Sequence, residues 1–213
     1  MAEKVLNITN GDYFNEYFLS KFGGIAVPFC EAMMDGECVA DIYSDEFIKL
    51  RTQALNVDES EYREKMYAYD ILNKEAFDAI CLWFGKDTFC QMNLLTLLAY
   101  LEQIGYSGDV ILNYIDDEAF EVVKSDIEIR LGAYKRIYNE IFISKIIPDN
   151  VGALSQRAIE LYFDYHSDNG ALVNLARANS DKSKMELIVL LLEKSKDYGL
   201  SDLQAEKIID SLK

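Results

Sequence analysis

Four nearly continuous apolar runs, centred on Val5-Leu6-Ile8, Ile25-Ala26-Val27, Ile80-Cys81-Leu82 and Val110-Ile111-Leu112, alternate with stretches of helical spacing over residues 4–115. A strand that is apolar on consecutive residues needs cover on both faces, and strand–helix–strand alternation gives parallel strands joined by right-handed crossovers. The chain is therefore expected to be α/β, with a mainly parallel Rossmann/flavodoxin-like sheet built from strands at 4–9, 24–29, 79–84 and 109–115. Pro28 cannot donate a ladder hydrogen bond, which puts the second strand at an edge and gives the order 2-1-3-4. Ile127, Ile129 and Leu131 alternate with Glu128 and Arg130 and suggest a half-exposed fifth strand.

Between these runs, Tyr13, Phe14, Tyr17, Phe18 and Phe22 recur at helical spacing before Gly23-Gly24. Residues 44–55 and 58–72 read as a helical pair, with Asp58 and Glu61 in a capping-box pattern. Leu94, Leu95, Leu97, Leu98 and Leu101 cover more than one stripe of the helix over 92–104, which should be deeply buried. From Pro148 on the spacing is helical only, over 155–166, 170–178, 184–197 and 201–212. The expected organisation is an α/β domain over 1–148 and a C-terminal all-helical lobe over 149–213.

Charge narrows the partners. The 213 residues carry 21 basic and 37 acidic side chains, a formal net charge of −16. Nucleic-acid backbones are bound through Lys and Arg, so this field opposes a general nucleic-acid role. Residues 151–213 hold 8 basic and 10 acidic side chains, leaving 13 basic and 27 acidic for residues 1–150, so the helical lobe lacks the basic stripe of a DNA reader. The absence of any long uncharged run and of a leader-like start predicts an untargeted cytoplasmic protein with no membrane partner. Cys30, Cys38, Cys81 and Cys90 form no CxxC pair and stand far from the single histidine, His166. Free thiols are thus expected, with no metal site.

In an open α/β sheet, ligands bind beyond the carboxyl ends of the strands where the strand order reverses, here between the first and third strands. Asn10-Gly11-Asp12 ends the first strand, Cys30-Glu31 the second, and Trp83-Phe84-Gly85-Lys86-Asp87 the third, with Gln91 one helical turn further on. Gly11 lets a ligand approach the backbone, and the helix starts after Gly11 and Asp87 offer backbone donors to an anion. Asn10, Gly11, Lys86 and Gln91 are the candidate ligand-binding residues. Asp12, Glu31 and Asp87 are the candidate acid or base carboxylates. Plain turns, N-caps and solvated surface charges are the commoner account of such residues. GxSxG, GxxxxGK[ST] and HExxH are absent, and one histidine gives no Cys-His or Ser-His-Asp machinery.

Two segments resemble a known family: Ile8-Thr9-Asn10-Gly11-Asp12 followed by Cys30-Glu31 and Gly36, and Leu82-Trp83-Phe84 with Asp87 and Gln91 downstream. They are similar to the bacterial domain of unknown function 1835 over residues 4–115, and the segment from Tyr198 resembles the helical C-terminal region that often accompanies it. The chain departs from that pattern at Gly85-Lys86, where an acidic residue and a histidine are usual, and at Cys90, where a second aspartate is usual. The resemblance implies the fold and the place of the site and carries no activity or cofactor. The expectation is a protein that binds a small anionic ligand, a nucleotide or phosphorylated metabolite, at the first and third strand ends. The alternative is an interaction or regulatory module acting through its C-terminal helices without catalysis, with a protein partner or a second copy of the chain.

Overall fold

The computed structural model describes residues 3–116 and 119–212. Five strands, β1 (Val5–Asn10), β2 (Ile25–Phe29), β3 (Ala79–Phe84), β4 (Asp109–Asp116) and β5 (Glu121–Glu128), form one sheet in the order β2-β1-β3-β4-β5. Neighbours among the first four are parallel, whereas β5 runs antiparallel to β4. The sheet is therefore mixed, and the expected four-strand parallel order 2-1-3-4 is corrected by a fifth strand on the β4 side. That strand begins earlier than expected because both of its faces meet solvent, so Glu121–Glu128 shows no alternation of apolar and polar residues. Asp126, at a φ of 57°, donates its N–H to the Asn113 side chain where the register shifts, and such an irregularity with flanking charges blunts an open sheet edge. Pro28 lies in β2, the opposite edge strand.

One sheet face carries Leu6, Ile8, Val27, Phe29, Leu82, Phe84 and Leu112 and packs beneath α5 (Thr88–Gln103), in which every residue from Cys90 to Leu101 is buried. The other face meets α1 (Asp12–Phe22) through Phe14 and Phe18, which pack against Ala26, Trp83 and Ile115. Cover on this second face is thinner than expected, with Cys81 and Ile111 only half-buried. Winding direction is the reason. Right-handed crossovers put a helix on opposite faces according to the direction of travel, and of the connections only β1-α1-β2 travels toward β2, while β4–β5 is a hairpin without a helix.

The link from β2 to β3 contains α2 (Asp45–Leu55), α3 (Glu59–Lys65) and α4 (Tyr67–Lys74). The helix expected over 58–72 is broken at Met66, whose φ and ψ are −91° and 32°, and the Asp58 side chain makes no cap bond. Downstream, α6 (Tyr134–Tyr138) continues into a π-helical turn (Asn139–Ile143). Then follow α7 (Gln156–Tyr165), α8 (Ala171–Ala178), α9 (Lys184–Lys194), a 3₁₀ turn (Lys196–Tyr198) and α10 (Asp202–Asp210). Ser183 and Ser201 open α9 and α10 with capping boxes. A second apolar cluster, including Leu161, Leu172, Leu187, Leu191, Tyr198 and Ile209, holds these helices together. The 3₁₀ turn meets the start of α5, where Thr88 Oγ1 donates to the Asp197 carbonyl at 3.1 Å. No helix among the described residues is long and apolar enough to cross a membrane.

Candidate functional site

After β1 the chain winds toward β2, and after β3 it winds toward β4, so α1 and α5 leave adjacent strands on opposite faces and open a crevice between them. A cleft of about 540 Å³ lies there, lined by Asn10, Tyr13, Lys86, Asp87, Cys90, Asp116, Phe120, Lys196 and Gly199 among others. Asp87 caps α5 by accepting the Cys90 N–H at 2.9 Å. Asn10 Nδ2 donates to Cys90 Sγ at 2.9 Å, which leaves Asn10 Oδ1 buried with no donor among the described residues.

Lys86 is exposed, with Nζ 5.1 Å from the centroid of the Tyr114 ring, and makes no ion pair among the described residues. Gly199 adopts a φ of 66°, and a Cβ there would stand 2.2 Å from Asp87 Oδ1, so this close approach to the α5 cap requires glycine.

Part of the cleft lining is aromatic. Tyr13 is 77% exposed, and its ring centroid lies 5.6 Å from that of Phe120, which also stacks on Tyr17 at 4.8 Å. Phe120 adopts a φ of 55°, a left-handed conformation that costs a residue with a Cβ about 1–2 kcal/mol. Its N–H bonds the Asp116 carbonyl at 2.8 Å, while Asp116 Oδ1 accepts the Ala119 N–H at 2.9 Å.

Of the seven residues singled out in the sequence, Asn10, Lys86 and Asp87 line the cleft, whereas Gly11, Asp12, Glu31 and Gln91 do not. Gly11, at a φ of 82°, starts α1 and leaves it without a side-chain cap. Glu31 is 1% exposed and Arg51 0%, and the guanidinium Nε meets Glu31 Oε1 at 2.9 Å while the Tyr62 hydroxyl donates to the other carboxylate oxygen. Sealed in this way, Glu31 is an internal counter-ion and not a base at the rim. Gln91 is likewise buried, donating to the Gly85 carbonyl at 2.8 Å and accepting the Ser155 N–H at 2.9 Å, so it ties the β3–α5 loop to the start of α7.

Asp12 is exposed and pairs with Lys65 at 2.7 Å. The Lys65 hydrogen bond holds its carboxyl below the usual range against a smaller opposing effect of burial, which keeps it ionised and makes it a weak base. Beside it, burial and the Asp12 charge push the Cys30 thiol up to about 12. Cys30 should therefore stay protonated and react only slowly with iodoacetamide at pH 8. Alkylation of Cys30 at the rate of a small-molecule thiol, read by peptide mass spectrometry, would contradict that environment.

No family model, curated protein or solved structure matches this chain. The geometry alone thus carries the functional reading. Its cleft lining combines Lys86 with the carboxylates of Asp87 and Asp116 and with the rings of Tyr13, Phe14, Phe89 and Phe120. Asp87 is the only one of the three candidate carboxylates on its lining, and one of its oxygens serves the α5 cap. Sequence reading missed Tyr13, Phe120, Lys196 and Gly199. Tyr13 was grouped with the aromatic stripe of α1, and Gly199 marked only a helix boundary, with no local signal that it returns to the β3–α5 loop.

Proposed function

We propose that this protein binds a small anionic ligand, a nucleotide or phosphorylated metabolite, in the cleft between the carboxyl ends of β1 and β3. The observation that carries the reading is Lys86, an exposed cation on a cleft wall with no ion-pair partner among the described residues of a chain whose net charge is −16. The 16-residue α5 starts beside it, and its dipole adds positive potential there, part of which the capping Asp87 carboxylate takes up. The likeness to domain of unknown function 1835 and a cytoplasmic setting belong to the same reading, which assigns no reaction.

A thermal-shift screen with nucleotides and sugar phosphates tests it: a ligand at 100 times its Kd adds roughly 2.7 kcal/mol to stability. Lys86→Ala should then weaken that ligand by about 1–3 kcal/mol, a factor of about 5–150, with the fold intact. Unchanged affinity in the variant would remove the cleft from consideration. The second reading, a module acting through its C-terminal helices, draws on the exposed Met185, Val189 and Leu203 of α9 and α10. A screen in which no compound binds would favour it.

A further inference from the structure

The cleft lining has two chemically different parts, a cationic and an aromatic one, with the carboxylates of Asp87 and Asp116 also on it. Its cationic part is built by the β3–α5 loop, with Lys86, and by the 3₁₀ turn that brings Lys196. Its aromatic part is built by the first turn of α1, with Tyr13 and Phe14, and by the connection from β4 to β5, with Phe120. A water molecule occupies roughly 30 Å³. An inorganic anion at Lys86 would therefore leave most of the 540 Å³ empty.

The aromatic part is specifically constructed. Phe120 holds its place at a φ of 55°, and Tyr13 stays 77% exposed although Phe120 lies beside it, so ring surface is left for a planar partner. Strain of this kind persists where the surrounding structure over-determines it and is concentrated at functional sites. Asn10, on the strand that leads into Tyr13, ties that strand to α5 through its Nδ2 bond to Cys90, with its Oδ1 closed off from the cleft.

We propose that the ligand is a nucleoside monophosphate whose base lies on the Tyr13–Phe120 wall and whose phosphate meets Lys86. This rests on the anion-binding reading above and adds the base. Stacking on an aromatic side chain tolerates every base, because each has a π-face.

The test is titration calorimetry of the full chain with AMP, GMP, CMP, UMP and ribose 5-phosphate, repeated on Tyr13→Ala, with far-UV circular dichroism confirming that the variant is folded. At least one nucleotide should bind about tenfold or more tightly than ribose 5-phosphate, and Tyr13→Ala should erase that margin while leaving ribose 5-phosphate unchanged. If ribose 5-phosphate matches every nucleotide in the wild type, or if Tyr13→Ala weakens it equally, the base-stacking inference is overturned and the anion site stands. If none of the five compounds binds, both fall.

Discussion

Arg51→Ala is expected to destabilise the fold by about 3–5 kcal/mol, measured by chemical denaturation. Arg51 and Glu31 are both sealed from solvent, and their ion pair at 2.9 Å is only part of what the guanidinium does. Nη1 donates to the Asp35 carbonyl at 2.6 Å and Nη2 to the Ala32 carbonyl at 2.8 Å, so one side chain holds the loop that follows β2. Asn93 of α5 clasps the same loop, accepting the Met33 N–H at 3.1 Å while donating to the Glu31 carbonyl. Gly36 closes it with a φ of 86°, where a Cβ would stand 2.2 Å from Ala54 Cβ and 3.0 Å from Arg51 Nη1.

Alanine at position 51 removes three polar contacts and leaves the Glu31 carboxylate buried beside Tyr62 without a cation. Buried pairs are costly to break but cheap to replace together. The double substitution Glu31→Leu with Arg51→Met should accordingly be much less damaging than Arg51→Ala alone. A loss below about 1 kcal/mol in Arg51→Ala, the range of tolerated surface changes, would show that the pair is solvated.

Leu98→Ala should cost about 2–5 kcal/mol through lost burial and the cavity left behind. Leu98 is fully buried on α5, between the sheet and the elements packed over it, where the surroundings have little freedom to collapse into the gap. Leu19→Ala on α1, at a position 40% exposed, serves as the control and should change stability by no more than about 0.5 kcal/mol. Equal effects in the two variants, read from denaturation midpoints at unchanged slope, would mean that α5 is not the central helix of the core.

The parallel strands were legible because burial on both faces leaves an uninterrupted apolar run: residues 79–84 were expected and Ala79–Phe84 is found. α5 was legible for the same reason, since Leu94 to Leu101 carries apolar residues around the whole helix, and its cap stands at Asp87 as the sequence indicated. β5 was misplaced because an exposed edge strand buries too little on either face to impose a period of two. At the site, Asn10, Lys86 and Asp87 could be found because each stands at or just past the carboxyl end of a parallel strand, and topology alone sends such residues to the crevice. Glu31 follows a strand as well, but its fate depends on Arg51, whose arrival depends on how the intervening loop closes. Nothing in a carboxylate's own neighbourhood in sequence distinguishes a base from a counter-ion. Phe120, Lys196 and Gly199 come to the cleft from a hairpin and from the helical segment, where no strand-end rule applies.

The wall formed by Lys196 and Gly199 also has a consequence for biosynthesis. Ribosomes add about 5–20 residues per second. The nascent chain therefore completes β4 seconds before these two residues emerge, and in that interval the crevice between β1 and β3 stands open along one side. The pocket becomes whole only when the 3₁₀ turn settles on α5 through the Thr88–Asp197 bond. A ligand that recognised the finished pocket would join as the last event of maturation, and by mass action it would hold the late-arriving segment in place in proportion to its own concentration in the cell.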